Sequence, residues 1–100
     1  MRIVADSNLK GYWQRHPSTR GALEHWRTTV KAAEWQSMQD VLRSFSKAKV
    51  LNKERAKFEI GGGNFRLIAA FNFRRQSVYV KFIGTHAEYD AVDALTVSKF

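Results

Sequence analysis

One hundred residues without cysteine carry seventeen lysines and arginines against nine aspartates and glutamates, for a formal charge of +8 and a pI near 10.2. That length makes a single domain, residues 1–100, around one modest core, and 44% hydrophobic content with thirteen aromatics excludes a disordered basic tail. The lack of cysteine excludes disulfides and thiolate metal sites and fits a reducing cytoplasm.

Arg2-Ile3-Val4 reads as a short strand that runs into the polar Ala5-Asp6-Ser7, unlike a secretory signal. No apolar run approaches the roughly 20 residues needed to span a bilayer, so a cytoplasmic protein with no membrane partner is expected. Ser7 is positioned to cap a helix through about His16, where Pro17 stops it. A second helix is expected from about Ser18 to Ala33, with Leu23, Trp26, Thr29, Val30 and Ala33 on one apolar stripe. A third spans about Ser37 to Phe45 with Met38, Val41, Leu42 and Phe45 inward. From residue 48 the period changes to that of strands: Lys49-Val50-Leu51, Ala56 to Ile60, Phe65 to Phe73 and Ser77 to Gly84. The whole is an α+β domain, helices on one face of a small, mainly antiparallel sheet.

Hairpin lengths specify a register. With Gly61 to Asn64 as one loop, Ile60 faces Phe65, Phe58 faces Leu67 and Glu59 faces Arg66. With Arg74 to Ser77 as the other, Phe73 faces Val78, Phe71 faces Val80, Ala69 faces Phe82 and Arg66 lies across from Thr85. Alternation then collects Phe58, Ile60, Phe65, Leu67, Ala69, Phe71, Phe73, Val78, Val80 and Phe82 on a wholly apolar face. The other face carries Lys57, Glu59, Arg66, Ile68, Asn72, Tyr79, Lys81, Ile83 and Thr85, and is expected to be open and basic.

Several constellations on these elements can carry chemistry. Gly61-Gly62-Gly63 lacks the Gly-Lys-Ser/Thr ending and following helix of a phosphate loop, and reads as a turn needing positive φ. Arg66 can clamp a phosphate with its planar fork, or simply pair with Glu59 across the strands. His86, Tyr89, Asp90 and Asp93 follow the capping Thr85 at i, i+3, i+4 and i+7, which gathers them on one side of a short helix. Imidazole exchanges protons near neutral pH when a carboxylate orients it; the plainer reading is a histidine capping a strand end and a tyrosine packed on the sheet. Lys57 and Lys81, with Lys53, Arg55 and Arg74, are candidate phosphate contacts or ordinary surface cations. Trp26 reads as core, Trp35 as core or stacking surface. His16, His25 and His86 show no metal-ligand spacing, so neither a metal nor any other cofactor is expected.

Gly62-Gly63-Asn64-Phe65-Arg66-Leu67-Ile68 followed by Val78 to Gly84 and Thr85-His86-Ala87-Glu88-Tyr89-Asp90 resembles the HigB family of the RelE/ParE-like toxin superfamily, over essentially the whole chain. The resemblance implies a RelE-like fold with a short C-terminal helix. It further implies a metal-independent endoribonuclease that cuts mRNA, commonly on the ribosome, and so inhibits translation. The implied partner is a helix-turn-helix antitoxin of the HigA type, through which alone the toxin would reach operator DNA. Arg66, His86, Tyr89 and Asp90 match the family's motif positions and are the catalytic candidates. Two other classes stay open: a gyrase-poisoning toxin of the ParE type, and a non-catalytic RNA- or ribosome-binding module.

Overall fold

In the computed structural model, which describes residues 1–100, the chain runs β1 (Arg2–Val4), α1 (Ser7–Arg15), a 3-10 turn (Pro17–Thr19), α2 (Arg20–Ala32) and α3 (Met38–Ser44). It continues through β2 (Lys49–Val50), β3 (Arg55–Ile60), β4 (Phe65–Asn72), β5 (Ser77–Thr85) and α4 (His86–Asp90). The α+β expectation is met: one five-stranded sheet in the order β1-β5-β4-β3-β2 underlies the helices. The meander β3-β4-β5 is antiparallel, whereas β1 joins β5 in parallel, pairing Ile3 with Val78. A parallel partner requires a crossover, which the helical half of the chain supplies.

The core lies between the helices and one sheet face. Leu23, Trp26 and Val30 of α2 are buried at three- and four-residue spacing, and the Trp26 ring meets Phe58 edge to face at 5.5 Å. Phe58 in turn touches Phe45 at 5.2 Å and Phe71 at 6.2 Å, so α3 and the meander share one aromatic cluster. Removing a ring such as Phe58 from that packing costs about 3–5 kcal/mol. Trp35 belongs to the same core, 5% exposed and 5.9 Å from Phe71. Its two readings are thereby resolved in favour of packing.

The structure departs from expectation at several termini and turns. Asp6, not Ser7, is the N-cap of α1, and its carboxylate makes no capping bond. It accepts instead from Arg27 Nε at 2.8 and 2.9 Å and from Lys31 Nζ at 3.0 Å, tying the start of α1 to α2. The second helix begins only at Arg20, because Pro17-Ser18-Thr19 form a 3-10 turn. α3 matches its cap: Ser37 accepts from the Asp40 amide.

The first hairpin has the expected register, Ile60 opposite Phe65 and Glu59 opposite Arg66. Gly61, Gly62 and Gly63 all take positive φ (62°, 70° and 95°), which accounts for three glycines in a row. The second hairpin is different. Asn72 pairs Ser77 and Phe71 pairs Val78, because Gln76 adopts φ 51° and closes the turn one residue early. Gln76 holds this conformation with its own side chain, which donates to Trp35 O at 2.6 Å and Phe73 O at 2.8 Å. A bulge then leaves Lys81 without a partner on β4: Ala69 pairs Val80, but Ile68 pairs Phe82. Beyond it Phe82 turns away from the helices and Ile83 joins the core, reversing the expected sides of these two residues. Arg66 consequently faces Gly84 rather than Thr85.

Candidate nucleic-acid interface

The face away from the helices is only partly open. Residues beyond α4 fold back across it: Arg55 donates to Ala94 O at 3.1 Å and Val97 O at 2.8 Å, and Lys99 N donates to Lys81 O at 2.8 Å. Lys99 Nζ reaches Ile83 O at 3.3 Å and lies 5.6 Å above the Phe82 ring. Ile68 and Phe82, on this second face, are 0% and 3% exposed. An open sheet face cannot keep two such side chains from water, and the returning segment is what lies over Phe82. The end of the sheet around α4 stays accessible, as do Asn72, Tyr79 and Lys81 in part.

There, Thr85 closes a capping box: its hydroxyl accepts from Glu88 N at 3.1 Å while Glu88 Oε1 accepts from Thr85 N at 2.9 Å. The Thr85 backbone donor, followed by its hydroxyl contact, holds the Glu88 carboxyl below its ordinary value. The first amide of α4, His86 N, donates to Asn64 O at 3.1 Å and so docks the helix on the glycine hairpin. Gly84 makes this docking possible, since a Cβ there would stand 2.6 Å from the Phe82 ring and 3.2 Å from Glu88 Cβ.

On α4, His86 Nδ1 lies 3.1 Å from Asp90 Oδ2, one turn apart, with both side chains more than half exposed. Tyr89 points to the sheet, 6.3 Å from Phe82, and Lys57 of β3 rests 5.7 Å above its ring. His86, Asp90, Tyr89 and Lys57 therefore gather around one helix. Asp93 does not join them: α4 stops at Asp90, and Asp93 instead accepts from Leu95 N at 3.0 Å.

Arg66 does not contact this group; its side chain is 10% exposed and turned to the hairpin. Its guanidinium donates to Gly63 O and lies 3.8 Å from Glu59. It braces the glycine turn that receives His86. Lys81 stays on the second face, 5.6 Å from the Tyr79 ring. Lys53 and Arg74 are exposed in the β2–β3 and β4–β5 turns, at the far end of the sheet. The eight residues of β4 separate Arg74 from α4, about 25 Å at ~3.3 Å per residue. Arg55 is committed to the chain's own carbonyls.

Beside α4 lies an aromatic group built on Tyr12, which in sequence reads, with Trp13, Trp26 and Trp35, as a base-stacking platform or core. Tyr12 and His16 of the α1 end stack at 4.4 Å, and both meet the Phe65 ring at 6.3 and 6.1 Å. The Tyr12 hydroxyl is buried without a partner; burial, and then the Glu88 charge, push it above the ordinary phenol range. The i, i+4 spacing of Tyr12 and His16 was the available signal, but only the fold brings it to Phe65.

A strongly basic α+β domain whose helices cover one face of a mixed sheet, with a short helix at its C-terminal end, has the RelE-like fold. The family described as HigB_toxin, RelE-like toxic component of a toxin–antitoxin system, matches residues 19–92, and this chain belongs to that family. Among its relatives, the mRNA interferase HigB of Escherichia coli O6:H1 (strain CFT073) is 28% identical over 93 residues, covering 90% of this chain and 89% of the relative. The mRNA interferase toxin HigB of Escherichia coli K12 is 26% identical over 102 residues, with 99% and 97% coverage. Membership makes this chain the toxic component of such a system, with a cognate antitoxin as partner. No helix is long and apolar enough to cross a membrane.

Proposed function

We propose that this toxin is an mRNA interferase, an endoribonuclease that cleaves mRNA and thereby halts translation. The observation that carries the reading is the His86–Asp90 pair, 3.1 Å apart and exposed on α4 beside the Lys57–Tyr89 pair. The names of the relatives, mRNA interferases in each case, point the same way.

In the mechanism, a ribose 2′-hydroxyl attacks its adjacent phosphorus. The 2′-proton passes to a base, the 5′-oxygen leaves with a proton from an acid, and the products are a 2′,3′-cyclic phosphate and a 5′-hydroxyl. His86 exchanges the proton at one of these oxygens, with Asp90 holding the imidazole in orientation. Tyr89 presents its hydroxyl at the second. Lys57 faces the phosphate and stabilises the charge that builds on it. Arg66 acts through its charge and by fixing the hairpin that carries α4. Lys81, and further along the sheet Lys53 and Arg74, extend a basic track for the strand, while Arg55 serves the returning segment. No metal is needed for this transfer. The substrate is mRNA engaged by the ribosome, and the antitoxin is of the HigA type, the toxin touching operator DNA only through it. The site of action is the cytoplasm.

The test is induction of the protein with mapping of mRNA 5′ ends, with and without a block of translation initiation. New ends that disappear under the block are expected. His86→Ala, which removes a proton-transfer group, is expected to slow cleavage by about 10²–10⁴-fold and to relieve growth arrest while the far-UV spectrum stays unchanged. Equal toxicity of His86→Ala and the parent would sink the assignment. Intact mRNA with DNA damage would instead mark a ParE-type poison, and intact mRNA with ribosome association a non-catalytic binder.

A further inference from the structure

We propose that the outward face of the His16 imidazole is a stacking site for a nucleobase of the bound RNA, one step along the strand from the phosphate held at α4. This deepens the nuclease reading and rests on it.

The imidazole ends a short aromatic column. Tyr12, 3% exposed, covers one face of the His16 ring at 4.4 Å and 25°. Phe65 meets both rings edge on, with interplanar angles of 82° and 60°. Tyr12 and Phe65 are the only aromatic rings that approach His16, and the residue keeps part of its surface in solvent. The backbone fixes its place. α1 ends at Arg15, and His16 leaves the helix at φ −130°, ψ 75° ahead of Pro17. Its amide donates to Tyr12 O at 2.8 Å, and its carbonyl accepts from Thr19 N at 2.9 Å and Thr19 Oγ1 at 2.7 Å. With its backbone fixed and its ring packed on Tyr12 and Phe65, the imidazole loses little freedom when a base lands on it, which is what makes a good stacking platform.

Its location ties it to α4. Phe65 pairs with Thr85, and Asn64 O receives His86 N, so His16 and His86 flank the same hairpin end. Glu88, two residues past His86 and about 200° around the helix, lies on the other side of α4. The His16 imidazole contributes to the attraction that stabilises its carboxylate. A strand laid across α4 therefore has proton-transfer groups on one side of the helix and an aromatic face on the other. Arg15, with its guanidinium 6.0 Å over the Tyr12 ring, puts a cation beside the platform for the accompanying phosphate. Single-stranded RNA is gripped by this pairing of stacked bases and cations.

The experiment compares two short fluorescein-labelled 2′-O-methyl RNAs, which cannot be cleaved by 2′-hydroxyl attack. One carries bases and the other is abasic with the same number of phosphates. The parent is expected to favour the base-bearing strand by roughly 5- to 100-fold in fluorescence anisotropy. His16→Ala should remove most of that preference while leaving the affinity for the abasic strand in place. His16→Phe should keep it, since a benzene ring stacks but transfers no proton. Melting temperatures show that each variant is folded. His16→Ala with the preference intact would overturn the subsite. So would His16→Phe failing as the alanine does, which would assign His16 to a polar contact with the strand in place of stacking. A parent that binds both strands equally, or neither, removes the subsite; the nuclease reading stands or falls separately, on the mapped mRNA 5′ ends.

Discussion

Tyr12 shows how a residue can be well packed and still cost stability. Its ring supports His16 and Phe65, but its hydroxyl is buried with no partner. An unpaired buried hydroxyl forfeits its hydration, so Tyr12→Phe is expected to stabilise the fold by about 1 kcal/mol, read from urea unfolding. Asp6 is the opposite case. Hydrogen bonding from Arg27 is the largest influence holding its carboxyl below the ordinary 3.8, against the cost of burial. A folded-state pKa below the unfolded one means that the carboxylate's stabilisation is fully present above about pH 5. It is lost as pH falls through the depressed value. Asp6→Asn is accordingly expected to lower the urea midpoint at about pH 7, with the gap to the parent narrowing at about pH 3. A gap that widens on acidification would mean that Asp6 does not act through its charge. At this scale the sequence was partly legible. Ser7 fits the usual residue type for a helix cap, but the carboxylate one position earlier had two cations waiting on α2, and only the fold reveals them.

At the level of elements, α4 depends on close packing at its root. Gly84 has no room for a Cβ between Phe82 and Glu88. Gly84→Ala is expected to cost about 1–3 kcal/mol and to loosen α4, with reduced mRNA cleavage at a temperature where the protein remains folded. Full activity in that variant would show that α4 need not sit where it does. The register of the meander was legible where glycine signalled it and illegible where it did not. Gly61-Gly62-Gly63 announced the first turn, whereas the second is closed by a glutamine at positive φ, a conformation that no residue type there advertised. The bulge was hidden for a related reason: Val80, Phe82 and Ile83 are all apolar, so alternation alone could not show which two share a face.

For the molecule as a whole, an excess of eight positive charges on 100 residues predicts salt-sensitive binding to a polyanion. The logarithm of RNA affinity should fall linearly with the logarithm of salt, and if Lys57 meets one phosphate, as proposed, Lys57→Met should lower that slope by about 0.7. The change should be uniform across RNA sequences. An unaltered slope in anisotropy titrations would remove Lys57 from the interface. The fold class was readable because a switch of period, from three-and-four to two, divides the chain into helices and strands near residue 48. The shape of the site was not. Nothing in Ala91 to Phe100 reads as a cover, yet this segment lies against β5 and takes Arg55 as its clamp.

The unpaired Lys81 makes β5 a strand with one residue to spare. On either side of it the partners run in step, Val80 with Ala69 and Phe82 with Ile68. A chain one codon shorter at this point would therefore reach Thr85 and His86 with every side chain facing the way it does now. It would lose only the cation beside Tyr79 and the carbonyl that receives Lys99. Anywhere else along the strand, the same deletion would exchange the two faces of all that follows. In this fold, strand length is negotiable at one residue, and that residue is a lysine on the face away from the helices.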